Sequence, residues 1–478
     1  MKSVLIEAKT KVNRATSISF IILLFGALGA GFFFVIQNIL GVQHIMGALE
    51  PINEKILWFI LFWATDFFFI PFVMVLCYLI AGIPAIAPSL ALSIYFAHFS
   101  GTPVQGTDTY FAFFSTPYNS GGGVNIGYMG YLIMALLLAF LIKFLYIGWD
   151  RIKEKLGKKL NTPIAALRKK ISKIPETLTG EGLLDGIDLI VLILILPVAS
   201  AAITFVAIRY GIQIPFAALS KALIEPLTAL GAGNVILTGL VFGLMVGFDI
   251  IGPVSMAAFS VAVAAFADGN AQLMTIYGAC FITIGWIPLA AVLLAKIVKK
   301  GAKTDNDDFN LAVSGPINAF FENVKLTVAF TIPYAYKSPL TVIPGLMTGC
   351  AFTGLLTAAF GIINTSYLNE LPKYGTGLTF SELFARGEYY ISFTLPLRSG
   401  DWLHCRIPLF LIILAGGFVG GAVIYLLKLV EYRIEKKRGT YVEHSSDIVI
   451  EMRQFAKTLR AKAKKEEVEQ EKPTVKTK

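Results

Sequence analysis

Ten predominantly apolar stretches divide this sequence, and most are long enough to cross a lipid bilayer as a helix. A spanning helix needs roughly 17–25 such residues, so this repeating pattern predicts a bundle of membrane helices. The predicted spans are Ser17–Leu40, Ile56–Ala81, Ile83–Phe99, Val124–Gly148, Leu189–Arg209, Val235–Ile251, Pro253–Ala267, Leu273–Lys296, Leu340–Ile363 and Pro408–Val430. We therefore predict an all-α polytopic membrane protein with about ten transmembrane helices.

Composition excludes a soluble domain. Apolar residues make up 56% of the chain and charged residues 15%, whereas soluble domains have about 45–50% and 25%. The 43 glycines and 21 prolines occur throughout the apolar stretches. This is typical of membrane helices that pack closely or are interrupted, because neighbouring helices re-satisfy broken backbone hydrogen bonds.

The net charge is +10, and the basic residues are concentrated in a few stretches. This distribution does not favour nucleic-acid binding, and it predicts the orientation of the chain in the membrane. These are the N-terminus, residues 149–186, the end of the eighth span and the C-terminal tail, whereas Ser100–Gly123 contains neither lysine nor arginine. Cytoplasmic loops of membrane proteins are enriched in lysine and arginine. Both termini are therefore predicted to be cytoplasmic.

Two half-apolar segments, Asn323–Tyr336 and Phe380–Leu397, are too short or too polar to cross the bilayer. Each is flanked by a long span, and we interpret them as two re-entrant hairpins. Non-helical or interrupted backbone at membrane depth occurs where it lines a protein cavity. Such segments are the best sequence pointer to a transport site.

An acidic residue, Asp249, lies beside the dipeptide Gly252-Pro253 in the apolar stretch GNVILTGLVFGLMVGFDIIGPVSMAAF. A carboxylate in such surroundings is costly unless it is paired or functional. Two interpretations stay open: it caps a broken helix or pairs with a lysine, or it binds substrate. The four cysteines are widely separated and fit buried reduced thiols. We predict no metal site and no cofactor.

The apolar stretch around Asp249 resembles the IIC component of fructose-family phosphotransferase systems. That component has a similar run of small residues followed by Phe-Asp, Gly-Pro-Val and Ala-Ala. Further resemblance lies, in the same order, at LILPVAS (Leu194–Ser200), GWIPLA (Gly285–Ala290) and SPLTVIPGLMTG (Ser338–Gly349). In the first half, Phe69–Pro88 and the glycines at 127–130 match more weakly. The resemblance covers most of residues 15–430.

The resemblance implies the glucose-superfamily IIC fold and a homodimer in a bacterial cytoplasmic membrane. It assigns residues 1–148 to a dimerising half, 149–186 to a basic amphipathic linker, 187–432 to a moving substrate-binding half and 433–478 to a cytoplasmic tail. The implied function is translocation of fructose or a related sugar or polyol, with phosphorylation by separate IIB and IIA phosphocarriers. No catalytic residue is assigned to this chain, which takes part in phosphotransfer only with those partners.

One departure concerns the substrate site. The family has a glutamate that hydrogen-bonds sugar hydroxyls, and Ala329 stands in the matching stretch TVAFTIPY here. Sugar sites need convergent hydroxyl-pairing groups beside an aromatic or apolar wall. The candidate substrate-binding residues are Asp249, Ser255, Asn323, Thr331, Tyr334, Lys337, Arg398 and Asp401.

Two alternatives stay open. An ion-coupled secondary permease would also use broken helices and buried acids such as Asp66 and Asp249. A sensor or scaffold that does not transport is the second alternative, and the missing glutamate is its only support.

Overall fold

The structure is a computed structural model that describes residues 10–16, 69–96, 126–170, 190–250, 252–267, 269–298, 312–316, 324–364 and 401–441, with a few further positions at 7, 18–19, 184–188 and 309. Its described helices are α1 (Phe69–Ala81), α2 (Ile86–Ile94), α3 (Gly127–Lys170), α4 (Leu196–Ile208), α5 (Ile214–Gly233), α6 (Val235–Phe248), α7 (Pro253–Ala267), α8 (Ala271–Val298), α9 (Val324–Lys337), α10 (Pro339–Ala359) and α11 (Ile407–Arg438). No strand occurs among these residues. The predicted all-α class is confirmed for this part of the chain.

Five described helical segments are long and apolar enough to cross a membrane: Gly127–Leu167, Val191–Gly233, Ala271–Val298, Pro339–Ala359 and Trp402–Arg438. They overlap five of the predicted spans. The total of ten and the two hairpins stay predictions, because Ser17–Leu40 is largely, and Phe380–Leu397 wholly, outside the described residues. In the other predicted hairpin, the described residues form helix α9, which ends one residue before Ser338.

One predicted span ends at Arg209 and the next begins at Val235. The chain between them is helical up to position 233, which the sequence pattern did not indicate. A π-helical turn, Arg209–Gln213, joins α4 directly to α5, so the helix is continuous from 191 to 233. Lys221, Glu225 and Pro226 interrupt the apolar pattern of α5. Hydropathy therefore places the end of this helix at Arg209, whereas the helix continues to Gly233.

A seam of glycines joins α6 to α10. A Cβ atom on Gly239, Gly243 or Gly247 would lie 2.2–2.5 Å from backbone atoms of α10. The partners run in the opposite order, Gly354, Cys350 and Leu346, so the two helices are antiparallel. Small residues at this spacing allow backbones to approach, and close packing is the main source of helix association in lipid.

Helix α11 inserts two glycine pairs between α10 and α8. Gly416 and Gly420 face the backbone of Gly345 and Gly349 in α10, whereas Gly417 and Gly421 face Trp286 and Ala290 in α8. The contact order makes α11 antiparallel to α10 and parallel to α8. The basic last turns of α8 (Lys296) and α11 (Lys436, Lys437 and Arg438) therefore lie at the same end of the bundle.

Buried polar groups also join α8 to α10. The thiols of Cys280 and Cys350 each donate to the other residue's carbonyl oxygen over 3.3 Å, and the hydroxyls of Thr283 and Thr353 are 3.0 Å apart. All four cysteines are free and buried. The prediction of buried reduced thiols is confirmed.

Helix α3 continues without interruption through position 149, where the basic linker was predicted to begin. The part of α3 beyond position 148 contacts residues 185–188, just before the next long helix, through hydrogen bonds and salt bridges. Trp149 Nε1 donates to Asp188 over 2.6 Å, and Lys153 Nζ lies 2.7 Å from both Asp185 and Asp188. The Lys153 ammonium and the Trp149 indole hold the pKa of Asp188 below its ordinary value.

We expect Gly243→Ala to lower the midpoint of thermal unfolding of the detergent-solubilised protein. The new Cβ would meet the Cys350 carbonyl oxygen at 2.2 Å, and overpacking of this kind costs about 1–3 kcal/mol. Gly148→Ala is the control, because a Cβ there meets nothing within 4 Å. Equal midpoints for the two variants would contradict the seam.

Candidate functional site: the Asp249 junction

The break between α6 and α7 carries the acid singled out from the sequence. Asp249 follows the last residue of α6 with φ −134° and ψ 76°, outside the helical region. Its carbonyl oxygen accepts from Gly252 N–H over 3.0 Å, which closes a tight turn. Pro253 then begins α7, where its missing N–H costs nothing.

The carboxylate of Asp249 caps the new helix. Its Oδ2 accepts a hydrogen bond from Val254 N–H over 2.9 Å, and only 8% of the residue is exposed. A negative charge at a helix N-terminus is stabilised by the unpaired N–H groups there. The capping interpretation of Asp249 is therefore confirmed, and a substrate role would come in addition to it.

Two glycines make room for this carboxylate. A Cβ on Gly252 would lie 1.8 Å from Asp249 Oδ1, and one on Gly127 would lie 3.1 Å from the same oxygen. Gly127 also has φ +65°, which side-chain-bearing residues rarely adopt. The first residue of α3 thus closes over the carboxylate. We call Gly127, Tyr128, Asp249, Gly252 and Tyr336 the Asp249 junction.

Two tyrosines connect four helices at this junction. Tyr128 donates its hydroxyl proton to the Phe248 carbonyl oxygen, 3.1 Å away at the end of α6. Tyr336 of α9 donates to the Tyr128 carbonyl oxygen and stacks on Phe72 of α1, with ring centroids 4.4 Å apart. The Phe248 carbonyl, which is freed at the end of α6, therefore has a partner, as buried backbone groups require.

Among the sequence-predicted residues, Ser255 lies just past the break in α7. Its hydroxyl is 3.4 Å from that of Tyr277, and both residues are buried. The Tyr277 ring in turn contacts Phe259, at a centroid distance of 5.3 Å. Serine and tyrosine hydroxyls beside aromatic rings are the types of group that bind sugars.

Three candidate substrate-binding residues, Thr331, Tyr334 and Lys337, lie on α9, and all three are buried. Thr331 donates to the Ile284 carbonyl oxygen over 3.3 Å, and the Lys428 ammonium lies 4.1 Å from the ring centroid of Tyr334. Lys337 is 8% exposed and follows Tyr336 directly. The structure thus brings the end of α9 to the Asp249 junction through Tyr336.

Asp401 has a different position from these residues. It is partly exposed and accepts from the backbone N–H groups of Leu403 and His404, over 3.1 and 2.9 Å. The His404 N–H is the main reason why the pKa of Asp401 is below its ordinary value. Asp401 therefore caps the last long helical segment.

The other predicted residues, Asn323 and Arg398, lie outside the described part of the chain, as does Asp66.

Sequence reasoning missed Tyr128, Tyr277 and Tyr336 as residues of this region. The glycines at 127–130 were the only local signal near Tyr128. Its hydrogen-bond partner is 120 residues away along the chain, and the partner of Tyr336 is 208 residues away. Long-range pairs of this kind leave no periodic pattern in a single sequence.

Within the described residues, no three His, Cys, Asp or Glu side chains come together as a metal site.

The fold and the junction define a helical membrane protein with a buried polar site at a helix break. Comparison with curated proteins then gives a 31% identical relative over 191 residues, the fructose-specific EIIB'BC phosphotransferase component of Rhodobacter capsulatus, covering 40% of this chain and 30% of that protein. The fructose permease IIC component of Bacillus amyloliquefaciens is 29% identical over 201 residues, covering 42% and 59%. A third relative, the fructose-like permease IIC component 2 of Escherichia coli (strain K12), is 28% identical over 167 residues, covering 35% and 44%.

These matches confirm the resemblance to the membrane component of fructose-family phosphotransferase systems. The matched regions span less than two thirds of the length of each of these relatives. No family model and no solved structure matches the chain.

We expect Asp249→Ala to lower the thermal unfolding midpoint, because Val254 N–H loses its acceptor at a cost of about 0.5–2 kcal/mol. Asp249→Asn should recover most of this loss, since its amide oxygen still accepts a hydrogen bond. Thermal unfolding of the purified variants in one detergent gives the comparison. If Asn destabilises as much as Ala, the charge of the carboxylate, and not the cap hydrogen bond, stabilises the break.

Proposed function

We propose that this chain is the sugar-translocating IIC subunit of a phosphotransferase system and carries fructose or a related sugar or polyol across the cytoplasmic membrane. Separate IIB and IIA proteins would supply the phosphoryl group. The observation that carries the proposal is the similarity to fructose-specific membrane components under several names. The broken helix at Asp249 supports it, because transporters place substrate sites at such breaks.

The proposed substrate site is centred on Asp249, with Ser255, Thr331, Tyr334 and Lys337 as further contacts. One carboxylate oxygen of Asp249 already accepts from Val254 N–H. An ionised carboxylate has about four lone-pair sites, so Oδ1 keeps the capacity to accept a sugar hydroxyl. The buried ring of Tyr277 would supply part of an aromatic wall.

Phosphorylation by IIB would make transport one-way. A phosphate dianion fits poorly in a site built for a neutral sugar, and its return through hydrocarbon is costly. The phosphorylated nucleophile belongs to IIB, so this chain contributes substrate position and a carboxylate near the reacting hydroxyl. In this proposal both termini are cytoplasmic, and the shared basic end of α8 and α11 supports that orientation.

The proposed homodimer has residues 1–148 as its fixed half and residues 187–432 as its moving half. The contact between Gly127 and Asp249 and the hydrogen bond from Tyr128 to Phe248 join these two parts. Movement of the second half would have to break and remake them. Substrate release and rearrangement of the Asp249 junction would then be one event.

The decisive experiment is uptake of labelled fructose and related sugars into vesicles that contain this chain, with and without IIA, IIB and phosphoenolpyruvate. Phosphorylated sugar that appears only with the partners is the expected result. Free sugar that accumulates with an ion gradient and disappears with an uncoupler would instead establish the ion-coupled permease. No binding of any tested sugar to the purified chain would favour the sensor or scaffold.

We expect Asp249→Asn to lower phosphorylation-coupled uptake by about 10- to 100-fold, because a hydrogen bond to a charged group contributes about 1.5–3 kcal/mol. Its unfolding midpoint should stay near that of the wild type. Ser255→Ala should reduce uptake less. Ser260→Ala is its matched control on α7, since within the described part of the chain Ser260 bonds to the Met256 carbonyl of its own helix. Unchanged uptake by Asp249→Asn would remove Asp249 from the substrate site.

A further inference from the structure

One face of α3 is apolar and exposed between Ile133 and Ile147. Its large side chains there point away from the bundle, and the most exposed is Phe144, at 72%. Residues four apart differ by only about 40° around a helix, so these residues form one stripe. They are Ile133, Leu137, Phe140, Phe144 and Ile147. In a spanning helix, a stripe of this kind faces lipid chains.

The same face becomes cationic one turn later. Arg151 follows Ile147 by four residues and lies at the centre of the stripe's direction, while Lys155 and Lys159 lie about 40° and 80° from it. All three are exposed, and within the described residues none of them forms a salt bridge. The neighbouring Lys158 pairs with Glu154 over 2.5 Å, which offsets the acid on this side. We call Arg151, Lys155 and Lys159 the cationic face of α3.

The rotation of α3 about its axis is set by contacts on the opposite side. Trp149 and Lys153 bind Asp188, and both lie about 160° around the helix from the apolar stripe. Tyr146 donates to the Leu192 carbonyl oxygen from the same side. The cationic face therefore points in the direction of the lipid-facing stripe, away from the described contacts of α3 with residues 185–192.

Distances along the axis place these charges at the membrane surface. Arg151 is about 6 Å and Lys155 about 12 Å beyond Ile147. The headgroup layer is roughly 5–8 Å thick on each side of the hydrocarbon, and both side chains are long enough to reach back into it. Lys159 lies within about one further Debye length at physiological salt.

We propose that the cationic face of α3 is a binding site for the phosphate groups of anionic phospholipids. The apolar stripe would hold the acyl chains of the same lipids, and Arg151 and Lys155 would hold their headgroups. A soluble acidic partner fits this face less well, because the lipid-facing stripe continues into it without a change of direction. The site is independent of the sugar-binding proposal.

A fluorophore at position 148 tests this site directly. Gly148 lies between the stripe and Arg151, a Cβ there meets nothing within 4 Å, and all four native cysteines are buried. Full-length Gly148→Cys protein is labelled and reconstituted in phosphatidylcholine. Quenching by brominated phosphatidylglycerol is then compared with quenching by brominated phosphatidylcholine at equal mole fraction.

We expect quenching to show local enrichment of phosphatidylglycerol that falls in high salt. Neutralisation by Arg151→Gln, Lys155→Gln and Lys159→Gln together should lower the enrichment by at least about fivefold, which is the effect of one basic residue near an anionic surface. Arg151→Lys with Lys155→Arg and Lys159→Arg keeps the charges and should retain it. Lys436→Gln, Lys437→Gln and Arg438→Gln together remove three charges from the end of α11 and should leave it unchanged.

Equal quenching by the two lipids in the wild type would overturn the proposal. An equal loss in the α11 control would also overturn it, since attraction to a basic protein in general would then explain the enrichment. Thermal unfolding midpoints of all variants, measured in phosphatidylcholine, separate a lost site from a lost fold.

Discussion

The hydrogen bond from Val254 N–H to the Asp249 carboxylate makes the break between α6 and α7 possible. In the interior of a membrane protein, every N–H and C=O freed by a helix break needs a partner, because no bulk water is present to supply one. Asp249 serves the start of α7, and Tyr128 serves the Phe248 carbonyl at the end of α6. The partners come from two distant parts of the sequence, so the break is stable only in the assembled bundle.

The glycine seams hold this break in place. Three glycines of α6 bring its backbone against α10, and α10 is in turn held by α11 and α8. Close backbone approach leaves little freedom to slide, because each Cβ-free position faces a carbonyl group of its neighbour. The C-terminal turn of α6, and with it Asp249, is therefore positioned by packing several turns away. Small residues, and not polar groups, fix where the polar site lies.

Much of this arrangement is predictable from the sequence, and the remainder fails for identifiable physical reasons. Apolar length predicts α8, α10 and α11, and the cost of an unpaired buried acid predicts that Asp249 has a partner. Hydropathy misses α5, because Lys221 and Glu225 interrupt a stretch that is nevertheless helical. It also cannot pair Tyr336 with Tyr128, since that contact depends on how α3 and α9 cross. Asp401, which the sequence groups with the site, caps a helix, and its role in substrate binding stays a prediction.

The two oxygens of Asp249 have different surroundings, and this difference bears on how a transporter of this design would work. Oδ2 is engaged by the N-terminus of α7, so Oδ1 has the larger remaining capacity to accept a hydrogen bond from a substrate. Oδ1 lies on the side closed by Gly127, where a Cβ would stand 3.1 Å away. A sugar hydroxyl that approaches Oδ1 must therefore displace or share the space of the first turn of α3. If Asp249 binds substrate, occupancy of the site and separation of α3 from the α6–α7 break are mechanically coupled, because both compete for the same few ångströms around one oxygen.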